Sequence, residues 1–254
     1  MYDDWIVDSK PRDNALVLQN FIPYVQTRLN FGEAQQDISE LFYLVLEKIE
    51  EERKLICPGH IMTINCVDLF ECLNTHCTYR GPIETSLVIS AKFESAFSVA
   101  LEELINSQQN KMFNFEHQCT KCYKKGTFRS RIFTYVSKYL NVYVRRVQFK
   151  INSNFGIKKQ TAVKFNETLR IAVTLESGNT RYETFTLIGF ILHIGSQAAS
   201  GHYVCFIKKD ENWELHDDHK IFLVNRHYVF REFTYKKFTL KMVWFKRYQM
   251  KTLR

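Results

Sequence analysis

A histidine and an aspartate near the end of the 254-residue chain have the types and the spacing of a proton-transfer pair. His202 follows a glycine and opens an apolar run. Asp217 comes after a polar turn at 208–212, over which a hairpin would bring the two side chains together. A carboxylate that accepts from one imidazole nitrogen fixes the tautomer and leaves the other nitrogen as a base. The pattern favours a general base with its orienting carboxylate, and the alternative is a pair of unrelated surface residues.

The cysteines indicate a metal site. Cys119 and Cys122 form a C-x-x-C knuckle, whose two sulfurs can reach one tetrahedral ion. The residues that could supply two more ligands lie upstream, and they are Cys66, Cys72, His76 and Cys77. We favour Cys72 and Cys77, whose spacing closes a small loop, while a pairing that uses His76 stays open. Four protein ligands would make the zinc structural, because no position is left for water; without metal these would be small buried side chains.

The composition is that of a folded chain with an excess of positive charge. Hydrophobic residues make up 45% and charged residues 24%, which excludes a mainly disordered chain, and the net charge is +8. Binding of nucleic acid would call for clustered lysines and arginines. The basic pairs are instead scattered, at 124–125, 145–146, 158–159, 208–209 and 236–237. We therefore expect solvated strand faces and turns rather than a nucleic-acid interface.

The cellular compartment can be inferred from the N-terminal residues and the cysteines. Residues 1–13 carry acidic side chains where a secretory signal would be basic, and no apolar stretch approaches the ~20 residues that a bilayer crossing requires. Cysteines without a signal sequence are typical of a reducing compartment. We expect a cytoplasmic or nuclear protein with no membrane partner.

Helical periodicity is confined to the first third of the chain and one later segment. The clearest helix covers 37–55, with Asp37 as its N-cap, Glu40 completing a capping-box-like pattern, and acidic residues 47–52 on the wet face. An earlier helix is expected from about Asp13 to residue 29, and a short one at 97–109. Short apolar runs at 59–72 and 85–93, and strand-like runs from 129 onward, predict an antiparallel sheet and an α+β protein.

Several stretches, in a fixed order, resemble the catalytic domain of ubiquitin-specific proteases. "FGEAQQDISEL" is similar to that family's Gln-Gln-Asp-Ala-His-Glu-Phe box, with Ser39 in place of the histidine. "FNFEHQCTKCYKKG" resembles its second zinc knuckle, and the family's Leu-Lys-Arg-Phe strand end corresponds to 144–147. "TLIGFILHIGSQAASGHYVCFIKKDENWELHDDHKI" resembles its histidine box, and "KMVWFKRY" its last strand. The resemblance covers residues 11–248, and motifs in shared order are more specific than any single one.

The resemblance implies a papain-like hand formed by one domain over 1–254. A truncated helical thumb would take 1–55, mainly zinc-pinned fingers 56–130, and a β palm with the remaining finger strands 131–254. The fingers would hold the globular body of ubiquitin or a ubiquitin-like protein, and the tail would pass between thumb and palm. Family activity is the thiol-dependent hydrolysis of the isopeptide bond after the terminal glycine of ubiquitin, so ubiquitinated proteins would be substrates.

The resemblance also implies roles for individual residues. His202 would be the general base and Asp217 its orienting residue. The substrate-binding residues would be Gln36, Asp37, Gly201, Tyr203 and Asp218. The zinc ligands would be Cys72, Cys77, Cys119 and Cys122.

The nucleophilic cysteine of the family has no counterpart in this sequence. In the family it lies in an upstream Asn-x-x-Cys box at a helix start, where its thiol pKa is lowered. Here no cysteine precedes Cys57, and strand alternation places Cys205 on the face opposite His202. Ser9 lacks a visible activating partner. We expect the chain by itself to be inactive, either as a fragment of an enzyme or as a ubiquitin-binding pseudoprotease, with a protein partner covering the exposed thumb.

Overall fold

The computed structural model describes residues 12–13, 19, 23, 26–27, 37–52, 62–74, 77–86, 88–91, 99–110, 112–149, 156–197, 200–231 and 238–248. The helices with defined bounds are α1 (Ile38–Glu52), α2 (Leu101–Asn106) and α3 (Arg226–Arg231), and a 3-10 turn, Ser107–Gln109, follows α2. The first strands are β1 (Arg12–Asp13), β2 (Ile64–Cys72), β3 (Thr78–Ser86), β4 (Ile89–Ala91), β5 (Val99–Ala100), β6 (Met112–Gln118), β7 (Lys125–Val136) and β8 (Tyr139–Val144). The later strands are β9 (Val147–Phe149), β10 (Gly156–Lys158), β11 (Val163–Lys164), β12 (Thr168–Thr174), β13 (Thr180–Ile194), β14 (His202–Lys209), β15 (Asn212–Asp217), β16 (Lys220–Val224) and β17 (Phe238–Arg247).

One mixed sheet holds thirteen of the described strands. Its main path runs β1-β16-β15-β14-β13-β12-β7-β2-β3, with β17 paired to β13 and β8, β4 to β8, and β6 to β7. The longest strand, β13, is the organising element, since it pairs antiparallel with β12, β14 and β17. Its threonines, phenylalanines and isoleucines suit a pleated strand, and its second half is buried on both faces.

The shortest ladder of this sheet joins β12 and β7. The parallel ladder there consists of one residue pair, Val173 opposite Phe133. On one side lie the antiparallel strands β3, β2, β7 and β6, and on the other lie the long ladders around β13. Val173 and Phe133 are both buried, so side-chain packing stabilises a junction that has few backbone hydrogen bonds.

Most of the core lies on the β13 side of this junction, and β2 and β7 add Ile64, Cys66, Phe133 and Val136 to it. The rings of Phe190 and Phe206 stack with centroids 4.7 Å apart, and Trp213 packs beside Phe190. Helix α2 contributes Leu101 and Ile105 to the same cluster. Burial of this apolar surface is the main source of stability for such a sheet.

Helix α1 matches its predicted start and its amphipathic pattern. The Ser39 N–H donates to Asp37 Oδ1 at 2.8 Å, which confirms Asp37 as the N-cap. The apolar side is only partly covered, because Leu46 is buried whereas Ile49 is 37% exposed. A ring contact between Phe42 and Trp244, with centroids 6.4 Å apart, ties the helix to β17.

Three expectations from the sequence need correction. Asp13, expected to begin a helix, lies in strand β1 opposite Lys220, although the described residues 19, 23, 26 and 27 are helical. Within the segment 97–109, Val99 and Ala100 form strand β5 rather than helix, because Val99 pairs with Val163. The basic pairs at 145–146 and 158–159 are not wholly solvated, because each has one buried member.

Arg146 and Lys158 are those buried members. The Arg146 side chain donates to the carbonyls of Leu240, Lys159 and Thr161, the first at 2.9 Å. Burial lowers the pKa of Arg146 to about 9. A buried guanidinium costs less when its donors are satisfied, and these carbonyls accept from Nε and Nη1.

Candidate functional site

The β14–β15 hairpin brings His202 and Asp217 into direct contact. Lys209 pairs with Asn212 at the turn, and the antiparallel ladder runs back as far as Cys205 opposite His216, the neighbour of Asp217. His202 Nε2 lies 2.5 Å from Asp217 Oδ1. The expected pairing across this turn is therefore present. The His202 side chain is 41% exposed, so its ring is reachable from solvent.

This geometry defines what the imidazole can do. When Nε2–H donates to the carboxylate, Nδ1 keeps its lone pair and is the atom that can accept a proton. Asp218, the next residue, lies in a turn with φ +50° and is exposed. Its carboxylate lies within 4.8 Å of the ligand atoms of His202 and Asp217. The cluster is thus a base with two nearby carboxylates that can stabilise a protonated imidazolium.

A glycine fixes the backbone that leads into His202. Gly201 has φ +153°, and a Cβ there would lie 2.3 Å from the Ile194 carbonyl oxygen and 2.6 Å from His193 Nε2. Only glycine fits this close approach without displacing β13. The structural role of Gly201 is to let β14 begin against the His193 ring.

A second histidine, His193, lies buried beneath that glycine. The Lys158 ammonium contacts His193 Nδ1 and donates to the Gly195 carbonyl at 2.5 Å. Burial, together with the charge of Lys158, lowers the pKa of His193 to about 4. Burial likewise lowers the pKa of Lys158 to about 8. His193 is therefore neutral in the folded protein at neutral pH.

The N-terminus of α1 lies against the same part of the sheet. Asp37 Oδ1 accepts from the Ser39 hydroxyl at 2.5 Å, and Asp37 Oδ2 accepts from the Tyr143 hydroxyl at 3.1 Å. The ammonium of Lys241 lies 3.5 Å from Asp37 Oδ2. Burial opposes ionisation of Asp37, but the Ser39 hydrogen bond and the Lys241 charge outweigh it, so its pKa lies below the usual value.

Tyr203 links this helix terminus to the candidate base. It follows His202 in β14, its ring meets His193 edge-on at 4.8 Å, and its hydroxyl accepts a backbone hydrogen bond from Ile38. Burial, followed by the nearby Asp37 charge, raises the pKa of Tyr203 to about 12. The hydroxyl is therefore neutral, and the half-buried ring packs against His193. Gln36, the other candidate of this group, lies outside the described residues.

No thiol among the described cysteines contacts His202. Cys205, on the same strand, pairs with His216 across β15, and burial raises its thiol pKa to about 12. Cys66 is an ordinary strand cysteine, as expected, with Sγ 3.6 Å from the Glu84 carbonyl oxygen. Cys57 lies outside the described residues, as does Ser9.

The four cysteines chosen as metal ligands come together at the tips of two hairpins. Cys72 Sγ lies 3.4 Å from Cys122 Sγ, and Cys77 Sγ lies 3.5 Å from Cys119 Sγ. Sulfurs at the corners of a zinc tetrahedron, with bonds of about 2.3 Å, lie roughly 3.8 Å apart. The sulfurs of Cys72, Cys77 and Cys119 all lie within 4.8 Å of one another, and these three fit a metal ion, while Cys122 reaches the group through Cys72. His76, the alternative ligand, lies outside the described residues.

Backbone N–H groups surround the cysteine cluster and favour the thiolate form. The Lys121 N–H points at Cys119 Sγ from 3.4 Å. The pKa of Cys119 is lowered first by the Cys122 backbone and then, against the opposing effect of burial, by Lys121 and the neighbouring sulfurs. Cys72 N–H donates to the Cys77 carbonyl at 2.9 Å, so the irregular upstream pair closes a tight loop. Thiolate is the form that binds zinc.

Sequence reasoning did not identify the charged residues beneath the site. Lys241 stands within "FTLKMVWF", where a charge among apolar neighbours was the available signal for a buried cation. Lys158 carried no such signal, since it belongs to a basic pair. Tyr143 lies one residue before the end of β8 and looks like an ordinary strand aromatic. Across the described ranges, no helix has both the length and the apolar character needed to cross a membrane.

Known proteins share the sequence motifs and the fold. A family model described as ubiquitin carboxyl-terminal hydrolase matches residues 10–241. Human ubiquitin carboxyl-terminal hydrolase 13 is 34% identical over 77 residues, which are 29% of this chain and 9% of the human protein. Ubiquitin carboxyl-terminal hydrolase 16 of Arabidopsis thaliana is 30% identical over 107 residues, or 41% of this chain and 10% of the plant protein. The alignments thus cover a small share of these relatives.

Solved structures extend the similarity to most of the chain. The SAGA Ubp8/Sgf11/Sus1/Sgf73 DUB module bound to ubiquitin aldehyde gives a TM-score of 0.76 at 17% identity, over 91% of this chain and 55% of that chain. The same module with a substituted Ubp8, bound to monoubiquitin, gives 0.75 over 91% of this chain and 54% of that chain, also at 17% identity. The expected papain-like α+β hand is confirmed by this shared fold. The chain spans about half of the structures it matches.

Proposed function

The chain belongs to the ubiquitin carboxyl-terminal hydrolase family, and from that premise we propose that it is the modifier-binding palm and fingers of a thiol-dependent deubiquitinase. The observation that supports the chemistry is the contact of 2.5 Å between His202 Nε2 and Asp217 Oδ1. In this arrangement His202 Nδ1 would take the proton of an attacking thiol and return it to the leaving amine. Asp217 would hold the ring and stabilise its cationic form.

Binding of the modifier tail is the second part of the proposal. The N-terminus of α1 and the start of β14 lie side by side, joined through Ile38 and Tyr203. A tail that passes between them would place its terminal glycine next to His202. We assign the walls of this passage to Gln36, Asp37, Gly201, Tyr203 and Asp218. Ubiquitin or a ubiquitin-like protein is the proposed ligand, and ubiquitinated proteins are the substrates; the solved relative was bound to monoubiquitin.

A structural zinc ion completes the proposed finger region. Cys72, Cys77, Cys119 and Cys122 would bind it, and a closed tetrathiolate shell would tie the β2–β3 turn to the β6–β7 turn. The ion would supply folding energy and no catalysis. Zinc thiolates and free cysteines are both stable in a reducing compartment, which supports a cytoplasmic or nuclear location.

A protein partner is proposed for the outer side of α1. Tyr43 and Ile49 on this helix are 43% and 37% exposed, and Leu46 is the helix residue most fully buried among those described. The matching solved chain is itself one component of a four-protein module. A helix with an incompletely covered apolar side is a natural docking element for such a partner.

Catalysis requires a nucleophile, and none of the described thiols can provide it. Cys205 is a protonated, half-buried thiol, and the finger cysteines face one another. We propose that the 254-residue polypeptide on its own binds the modifier without cleaving it. The intact pair of His202 and Asp217 favours a second candidate, in which a cysteine from another segment or polypeptide completes an active enzyme.

A modifier probe distinguishes these possibilities. Ubiquitin with a thiol-reactive group at its C-terminus is incubated with the chain, and calorimetry with unmodified ubiquitin measures binding separately. We expect binding without a covalent adduct. An adduct that survives denaturation, and that is lost when one particular cysteine is changed to serine, would show an active nucleophile. Absence of binding to ubiquitin and to ubiquitin-like modifiers would overturn the proposal as a whole.

A further inference from the structure

The lysine in strand β17 is placed at an irregularity of the sheet. Ile191 pairs with Met242 and Leu192 with Leu240, so Lys241 is the extra residue of a β-bulge between β13 and β17. Bulges turn a side chain away from the regular alternation of a strand. Here the bulge directs Lys241 toward the N-terminus of α1, where its ammonium lies 3.5 Å from Asp37 Oδ2.

Lys241 is a deeply buried cation. The residue is 3% exposed. Among the described residues, Asp37 is the one whose carboxylate lies within salt-bridge distance of the Lys241 ammonium. Burial lowers the pKa of Lys241, while the charge of Asp37 and a hydrogen bond to it act in the opposite direction. A buried ammonium is tolerated when a carboxylate pairs with it, so the two charges stabilise one another.

The carboxylate of Asp37 has little capacity left for another partner. Its Oδ1 accepts from the Ser39 N–H and the Ser39 hydroxyl, at 2.8 and 2.5 Å. Its Oδ2 accepts from the Tyr143 hydroxyl and faces Lys241. A carboxylate offers about four acceptor positions, and four donors surround this one. A further cation would also meet a charge that Lys241 has already balanced.

We propose that Lys241 is a specificity-determining residue, an internal counter-ion that prevents Asp37 from selecting a positively charged side chain in the modifier tail. This inference rests on the proposed function, because it concerns the same tail passage. Asp37 then shapes the passage by fixing the start of α1 beside Tyr203. The chain tolerates modifier tails with a neutral residue at this position as well as tails with a basic one.

The experiment compares two modifiers on three proteins. The modifiers are ubiquitin with its basic tail residues and ubiquitin with those residues changed to glutamine. The proteins are the unaltered chain, Lys241→Gln, and Lys246→Gln as a matched control, since Lys246 lies exposed on the same strand. Calorimetry gives six dissociation constants, and circular dichroism checks that each protein is folded.

The unaltered chain and Lys246→Gln should bind the two modifiers with dissociation constants within about 3-fold of each other. In Lys241→Gln the carboxylate loses its counter-ion, so the basic tail should bind at least 10-fold more tightly than the neutral one, about 1.4 kcal/mol. Strong preference for the basic tail in the unaltered chain would overturn the inference even if Lys241→Gln does not fold. Equal binding of both modifiers by a folded Lys241→Gln would also overturn it. Absence of binding by the unaltered chain would reject the proposed function instead.

Discussion

The Nε2 atom of His202 lies 2.5 Å from Oδ1 of Asp217, whereas Nδ1 of the same ring has no hydrogen-bond partner within the described part of the chain. The two nitrogens therefore have different surroundings. One is held by a carboxylate from the neighbouring strand, and the other is open to whatever occupies the site. Ring orientation is thus set by the β14–β15 hairpin alone, before any nucleophile is present.

This asymmetry predicts the tautomer of His202. Nitrogen chemical shifts of the imidazole at pH 8 should show the Nε2–H form, because Asp217 accepts that proton. In Asp217→Ala the ring should become a mixture of tautomers. His227, exposed on α3, gives the matched comparison and should not change between the two proteins. A dominant Nδ1–H form in the unaltered chain would contradict the assignment.

Replacement of a finger cysteine tests the zinc site. Cys119→Ser should reduce bound zinc from about one ion per chain to a small fraction, as measured by mass spectrometry of metals, because three ligands remain. Loss of a structural zinc costs several kcal/mol, so the melting temperature should fall by roughly 10 °C or more. Cys205→Ala, which removes a thiol distant from the cluster, should keep its zinc. Full zinc content in Cys119→Ser would reject this ligand set.

Acid should destabilise the protein through His193. An unfolded histidine binds its proton near pH 6.5, whereas the folded pKa is about 4, so the unfolded state holds more protons between these values. Stability from this group is complete above about pH 6.5 and is lost as the pH falls toward 4, roughly 3 kcal/mol in total.

Urea unfolding at pH 7.5 and pH 4.5 measures this contribution. The unaltered chain should lose more stability between the two pH values than His193→Gln does. The change in His227→Gln, where the lost ring is exposed, should equal that of the unaltered chain. Equal losses in the unaltered chain and His193→Gln would show that another group carries the pH dependence.

Two glycines with positive φ should respond differently to a methyl group. Gly178→Ala, with φ +85° and open space around it, should cost about 1 kcal/mol from backbone strain alone. Gly201→Ala has to displace the Ile194 carbonyl or the His193 ring as well, and the cost should exceed roughly 3 kcal/mol. Chemical denaturation measures both. Similar costs would mean that the approach of Gly201 to β13 is easily relaxed.

The sequence predicted those parts of the site that depend on local pattern and on donor chemistry. His202 and Asp217 meet because strand alternation and a polar turn imply a hairpin, and the four cysteines converge because thiolates at knuckle spacing suit one ion. Lys241 was missed because its orientation depends on a bulge, and a register shift between distant strands leaves no local mark.

The sequence also did not predict features that depend on partners far along the chain, such as the burial of a charge. Arg146 stands in a basic pair that looks solvated, yet backbone carbonyls from two other segments accept its donors. Asp13 was expected to begin a helix, although pairing with Lys220 makes it part of a strand. In both cases a tertiary partner far along the chain decides the outcome, which local propensity does not contain.

The single residue pair between β12 and β7 bears on how far the fingers can open. A ladder many residues long would resist bending, whereas here β12 and β7 share one residue pair, formed by the buried Val173 and Phe133. We therefore expect the finger strands to swing as a unit while β13, β14 and β15 keep their register. The binding surface would then accommodate modifiers of different width, and the His202 imidazole would keep its orientation toward Asp217.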